Sequence, residues 1–279
     1  MESLFRPLSL LIFITRHAPF TTHPYLCSLM TEYPHDSIKP FSEQGEKKQQ
    51  VSEMFDRIAG RYDFMNRFLS AGIDVQWRIK AIKTFKKDNP QAILDIATGT
   101  GDMAIRAAKM LQPRKIVGID ISPKMLEIGR QKVEKEGYSS LIELHEGDGE
   151  TINFSDNTFD GAMVAFGVRN FQNLEKGLNE IRRVMKPGAK LVVLEFSKPR
   201  VPGLRNLYNL YMGVIAPQVA KLFNQNKQAY QYLNESAKAF PDRGQFVQIL
   251  QKAGFASATF KPLTLGICCL YVATKPAAV

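Results

Sequence analysis

The chain has 279 residues, 44% of them apolar and 23% charged, proportions that suit a globular protein with a real core and exclude a collagen-like or largely disordered chain. The 37 Lys and Arg residues against 27 Asp and Glu leave a net charge of +10, which attracts anionic surfaces, nucleic acid or acidic lipid headgroups, without choosing between them. Cys27, Cys268 and Cys269 form no CxxC pair, and His17, His23, His35 and His145 lack zinc-site spacing, so neither a disulfide framework nor a metal centre is expected.

An apolar run over 8–14 follows Arg6 and has the look of a weak signal-peptide core. It is too short to span a bilayer, and Thr15, Arg16 and His17 supply no small-x-small cleavage site. Residues 1–32 therefore read as a disordered tail or over-extended start ahead of a domain at 33–279.

Over 46–70, apolar residues recur every three or four positions, from Val51 and Met54 through Phe55, Ile58 and Tyr62 to Met65 and Phe68, which predicts a helix interrupted at Gly60 and Asn66. A second helix is expected over 74–87 with Asp74 as its cap. Beyond Asn89-Pro90 short β-like runs alternate with helical segments, the mark of a parallel sheet covered by helices. Strands are expected over 92–97, 115–120, 142–146, 159–165 and 190–195. Helices are expected over 102–111, 123–137 and 174–185, the last stopped by Lys186-Pro187-Gly188. The aromatic and apolar stretch around 200–240 predicts added helices that either pack as core or cover a greasy substrate. A helix over 242–253 and strands over 255–262 and 267–274 complete the chain.

The most informative stretch is Ile93-Leu94-Asp95-Ile96-Ala97-Thr98-Gly99-Thr100-Gly101-Asp102. A strand enters a glycine turn and a helix follows. Gly99 is expected to permit the tight turn and Gly101 to let a ligand approach the backbone. Asp120 ends the next strand, where a carboxylate can accept both ribose hydroxyls of a nucleoside. The turn lacks the third glycine of a pyrophosphate site, and Asp102 would repel phosphates, yet it suits the positive charges of S-adenosylmethionine. Asp148, in Gly147-Asp148-Gly149, is placed to accept from an adenine amino group. Asp95, Asp120 and Asp148 thus fall at successive strand ends on one sheet edge.

Two longer stretches carry a narrower resemblance: Tyr62-Asp63-Phe64-Met65-Asn66 with Ser70, Gly72 and Trp77, and Arg183-Val184-Met185-Lys186-Pro187-Gly188 continuing to Leu194-Glu195-Phe196-Ser197-Lys198-Pro199. With Phe166-Gly167-Val168-Arg169-Asn170 they make the chain resemble the ubiquinone/menaquinone biosynthesis C-methyltransferase family from about Tyr33 to Pro276. The resemblance implies an α/β class I methyltransferase, with a Rossmann-like, mostly parallel seven-stranded sheet, one antiparallel strand, N-terminal helices and a helical insertion before the last strands. It implies S-adenosylmethionine held through Thr100, Asp120, Asp148 and Gly149. Many members carry a serine just before the Phe-Gly, and here Ala165 lacks that hydroxyl.

The implied reaction is C-methylation of a polyprenylated hydroquinone, most nearly demethylmenaquinol, with the ubiquinone-pathway benzoquinol as runner-up and an inactive cofactor-binding regulator as the reading from another class. Arg169 is the expected phenolate stabiliser, because a guanidinium is a poor base. Tyr62, Asp63 and Asn170 are candidates for orienting substrate or taking a proton, and Asp102 for bounding the transfer site. Each also has a packing or capping role open to it. The expected setting is cytoplasmic with peripheral contact at the inner membrane face, no nucleic acid, and homo-oligomerisation left open.

Overall fold

The protein was analysed as a computed structural model, which describes residues 33–200, 203 and 227–278. Seven strands form one sheet: β1 (Ala92–Ile96), β2 (Lys115–Asp120), β3 (Ile142–Glu146), β4 (Phe159–Ala165), β5 (Met185–Phe196), β6 (Ser257–Leu263) and β7 (Cys268–Thr274). Their order is β3-β2-β1-β4-β5-β7-β6, and β7 runs antiparallel to both neighbours while the other pairs are parallel. This is the sheet the sequence predicts. A mostly parallel sheet needs both faces covered, and the strand sequences supply two apolar faces: Ile93, Met163 and Val192 enter one core, while Leu94, Val164 and Val193 enter the other. Cys268 and Cys269 divide between the same two cores, both buried and free.

Seven helices are described: α1 (Lys47–Leu69), α2 (Ile73–Lys83), α3 (Asp102–Leu111), α4 (Pro123–Lys135), α5 (Leu174–Val184), α6 (Lys227–Ala239) and α7 (Gly244–Lys252). Local signals fix several starts. The Ser122 hydroxyl caps α4 by accepting the Met125 N–H, with Pro123 in the first turn, and Asn173 caps α5 by accepting the Lys176 N–H at 2.9 Å. No helix among the described residues is long and apolar enough to cross a membrane.

Three expectations change. Helix α1 is continuous through Gly60 and Asn66, and the buried stripe Val51, Met54, Ile58 and Met65 carries it across Gly60. Helix α2 starts after Gly72, at φ 75°, without a side-chain cap. Asp74 is instead buried, 2.5 Å from Arg78 Nη1 and accepting the Ser70 hydroxyl at 2.8 Å. Strand β5 begins at Met185 rather than 190, and its pairing with β4 jumps from Phe159↔Met185 to Gly161↔Lys190, an irregularity that absorbs the Lys186-Pro187-Gly188 turn. Of the helical segment expected around 200–240, residues 227–239 form α6, while 201–202 and 204–226 lie outside the described residues, as does the N-terminal stretch 1–32.

The start of α1 is fastened to the core by a buried ammonium. Lys47 Nζ donates to the carbonyl oxygens of His35 at 2.7 Å, Phe171 at 3.0 Å and Arg169 at 3.2 Å. Three carbonyls satisfy its three donors.

Candidate active site

The strand order reverses between β1 and β4, which opens a crevice over the carboxyl ends of the sheet. A cavity lies there, between the strand ends and α1. Its floor comes from the turns after four strands: Ala97 and Gly99 after β1, Asp120 and Ile121 at the end of β2, Gly147 to Glu150 after β3, and Ala165 to Gly167 with Asn170 after β4. Its roof is one face of α1, where Lys48, Val51, Phe55 and Tyr62 follow a helical spacing.

The backbone at the floor is strained. Ala97 at φ 53° and Phe166 at φ 62° take left-handed conformations that cost a residue with a Cβ about 1–2 kcal/mol each. Gly167 fits against them so closely that an added Cβ would come 2.5 Å from the Ala97 Cβ. Strain of this kind gathers at working sites. Gly99 and Gly101 are also left-handed, at φ 58° and 76°. Both serve the turn, and of the two it is Gly99 that lines the cavity, its Cβ direction meeting open space, whereas Gly101 is buried facing Leu144 and Val133.

Asp120 stands at the cavity wall and organises the turn. One carboxylate oxygen accepts the Gly99 N–H at 2.8 Å and the other the Ser122 N–H at 2.9 Å. Burial pushes its carboxyl up to about 6, although those two N–H groups pull the other way. Asp95 lies behind the floor, its Oδ2 accepting the Thr98 hydroxyl at 2.7 Å and its Oδ1 buried without a partner. Burial pushes it up to about 7. Asp148 and Gly149 line the opposite end. There the Asp148 carboxylate takes the Lys48 ammonium and the Glu150 N–H, and Glu150 in turn accepts the Gln172 N–H at 2.6 Å.

The five residues expected to act in catalysis separate. Tyr62 and Asn170 line the cavity. Tyr62 meets Phe55 edge-on, ring centroids 5.8 Å apart, and Asn170 Oδ1 accepts the Tyr232 hydroxyl at 3.1 Å. Arg169 lies just behind, 3% exposed, with Nη1 2.7 Å from Glu195 Oε1 and 2.7 Å from the Phe166 carbonyl oxygen, and with Nε buried and unpartnered. Asp63 and Asp102 do not line the cavity. Both sit on Lys132, at 2.8 and 2.5 Å, and the Thr100 hydroxyl joins them by donating to Asp63 at 2.6 Å. Burial would raise the Asp102 carboxyl, but Lys132 beside it overrides this and holds it below the usual carboxylate range.

Several members of the site escaped the sequence reading. Lys48 and Glu150 on the cavity wall, and Lys132 beneath it, look like solvated charges in the sequence. Glu195 left a usable signal, since an acid inside an apolar strand demands a buried partner. Among the described residues, no group of three His, Cys, Asp or Glu side chains is placed to hold a metal ion.

The sequence matches the ubiE/COQ5 methyltransferase family over residues 43–275. The chain belongs to this family. It is 46% identical to a demethylmenaquinone methyltransferase of Bacteroides fragilis over 87% of this chain and 99% of that protein. It is 43% identical to a ubiquinone/menaquinone biosynthesis C-methyltransferase of Geotalea daltonii over 82% of this chain and 98% of that one. Among solved structures it resembles a SAM-dependent methyltransferase of Thermotoga maritima, with a TM-score of 0.56 at 18% identity, covering 81% of this chain and 99% of that chain. At that identity the likeness speaks for the fold. In this ubiE/COQ5 methyltransferase the crevice at the carboxyl ends of β1 and β4 is the candidate active site.

Proposed function

We propose that the protein transfers the methyl group of S-adenosylmethionine to the ring carbon of demethylmenaquinol, giving menaquinol. Family membership supports the reaction class, and the near full-length match to a protein named demethylmenaquinone methyltransferase favours this ring over the ubiquinone-pathway benzoquinol. The observation that carries the cofactor reading is Asp120, a buried carboxylate at the cavity wall that already holds Gly99 and Ser122. The residues fit the donor: Asp120 accepts the ribose hydroxyls and Gly99 leaves room beside them, while Asp95, behind the floor, braces the turn through Thr98. Asp148 and Gly149 face the adenine. Thr100 and Gly101 act by shaping the turn, and Ala165 contributes surface without a hydroxyl.

Bound S-adenosylmethionine supplies an electrophilic methyl group. The chain's own residues align the ring carbon and favour the phenolate that makes it nucleophilic. In this reading Tyr62 and Asn170 orient the ring, and the Arg169 guanidinium, one layer behind the cavity wall and paired with Glu195, stabilises its negative charge from there. Asp63 and Asp102, both held by Lys132, act by shaping the roof and the start of α3. A polyprenyl tail together with the basic surface supports peripheral contact with a membrane.

The test is methyl transfer from labelled S-adenosylmethionine, with short-chain demethylmenaquinol and the benzoquinol precursor offered separately. The expected result is label in the menaquinol product. Label in the benzoquinol alone would move the protein to the ubiquinone route, and donor binding without transfer to either would make it a regulator.

Donor binding should also depend on pH. The ribose hydroxyls need the Asp120 carboxylate, so affinity is expected to hold above pH 6 and to fall by about tenfold per unit below it. The free protein has the opposite sign at this group. A carboxyl raised on folding favours the folded state below its unfolded value, and that contribution is lost as pH rises through about 6. Calorimetric titration between pH 5 and pH 8, a range of roughly one to two units around that midpoint, checks this; a flat profile contradicts the ribose assignment.

A further inference from the structure

We infer that Lys132 is a positioning residue, holding the second half of α1, and Tyr62 with it, over the cofactor turn. The inference rests on the reading of the cavity as the donor site. The Lys132 ammonium has three donors, and they go to three groups: Asp63 Oδ2 of α1 at 2.8 Å, the Thr100 hydroxyl of the turn at 3.1 Å and Asp102 Oδ1 of α3 at 2.5 Å. Thr100 closes the ring by donating to Asp63 Oδ1 at 2.6 Å. Arg67, on the next turn of α1, adds a weaker contact, 3.6 Å from Asp102.

The rest of α1 explains why this contact matters. Most of the apolar cluster that seats the helix, Val51, Met54, Ile58 and Ala59 against Met125 and Tyr232, lies before Gly60; beyond it Tyr62 packs at the cluster's edge and Met65 is buried. A Cβ at Gly60 would meet nothing within 4 Å, and glycine is the weakest point of a helix interior. Two polar clasps hold the first half as well: Ser52 donates to the Ile121 carbonyl oxygen at 2.7 Å, and Asp56 accepts the Ser122 hydroxyl at 2.6 Å. Past Gly60, Lys132 neutralises Asp63 and Asp102. Without it, two carboxylates face each other across Thr100, and repulsion drives α1 away from the turn.

The test compares wild type with Lys132→Gln, Lys132→Arg, Asp63→Asn and the Lys132→Gln/Asp63→Asn pair, by calorimetric titration with S-adenosylmethionine and by steady-state kinetics. Lys132→Gln is expected to raise the donor KM by about tenfold while kcat changes by less than about threefold, and Lys132→Arg to stay within about threefold of wild type. Asp63→Asn removes the same ion pair from the α1 side and is expected to show a similar rise, with the double variant no worse than either single one. Asp63→Asn alone still decides the matter should Lys132→Gln fail to fold, an unchanged donor KM there overturning the proposal. A role in stability alone would lower the melting temperature and leave the donor KM unchanged. An unchanged KM in Lys132→Gln, or losses that simply add in the double variant, overturns the proposal while leaving the cofactor reading intact. No donor uptake by wild type overturns that reading itself.

Discussion

Replacing Arg169 with methionine is expected to destabilise the protein by about 3–5 kcal/mol, because it leaves a buried carboxylate without its counter-charge. Glu195 is 0% exposed and Arg169 3% exposed. The Glu195 carboxylate also receives the Phe196 N–H at 2.9 Å, so it cannot turn out to water without breaking the edge of β5. Burial raises its carboxyl despite Arg169, so removing the arginine drives it to take up a proton. Thermal unfolding is expected to shift down by roughly 10 °C for a domain of this size. The double replacement Arg169→Met/Glu195→Gln keeps an acceptor for Phe196 and removes the orphaned charge, so most of the stability should return. Its kcat then separates two roles for the arginine. A stable double variant that remains slow supports phenolate stabilisation, whereas full activity assigns Arg169 to the fold alone. A single variant melting within about 1 kcal/mol of wild type contradicts the buried-pair account.

Asp120→Asn is expected to weaken S-adenosylmethionine binding by about a hundredfold or more. Two hydrogen bonds from ribose hydroxyls to a charged acceptor contribute about 1.5–3 kcal/mol each, and losing the charge removes a large part of both. The amide brings a second fault. Each Asp120 oxygen already accepts a backbone N–H, from Gly99 and from Ser122, and an asparagine must turn its NH₂ toward one of them. The turn at 97–101 should therefore loosen while the sheet stays intact. Calorimetric titration of the purified variant measures the effect, and a dissociation constant within about tenfold of wild type contradicts the assignment of the sugar to this residue.

Much of the architecture was legible because periodicity and strand-end chemistry are local. The seven strands, the helix starts at Pro123 and Leu174 and the acid ending β2 follow from short windows of residues. What escaped depends on distance. Nothing near Lys132 in the chain reveals that its ammonium meets Asp63, 69 positions away, or that Asp102 is thereby neutralised. The same holds for which glycine faces the cavity, since Gly101 is covered by Leu144 and Val133 from β3 and α4. The interruption expected at Gly60 failed for a related reason, since propensity at one residue is outweighed by a packed stripe spanning it.

The helix that roofs the cavity is made before most of what it rests on. A ribosome releases α1 while β2, α4, the turn after β4 and α6 are still unwritten, so the helix emerges with Val51, Met54 and Ile58 facing water and Lys48 without Asp148. Its docking is thus a late event in synthesis, completed once Tyr232 has been added, and until then the nascent chain carries a greasy strip of the kind that holdase chaperones engage.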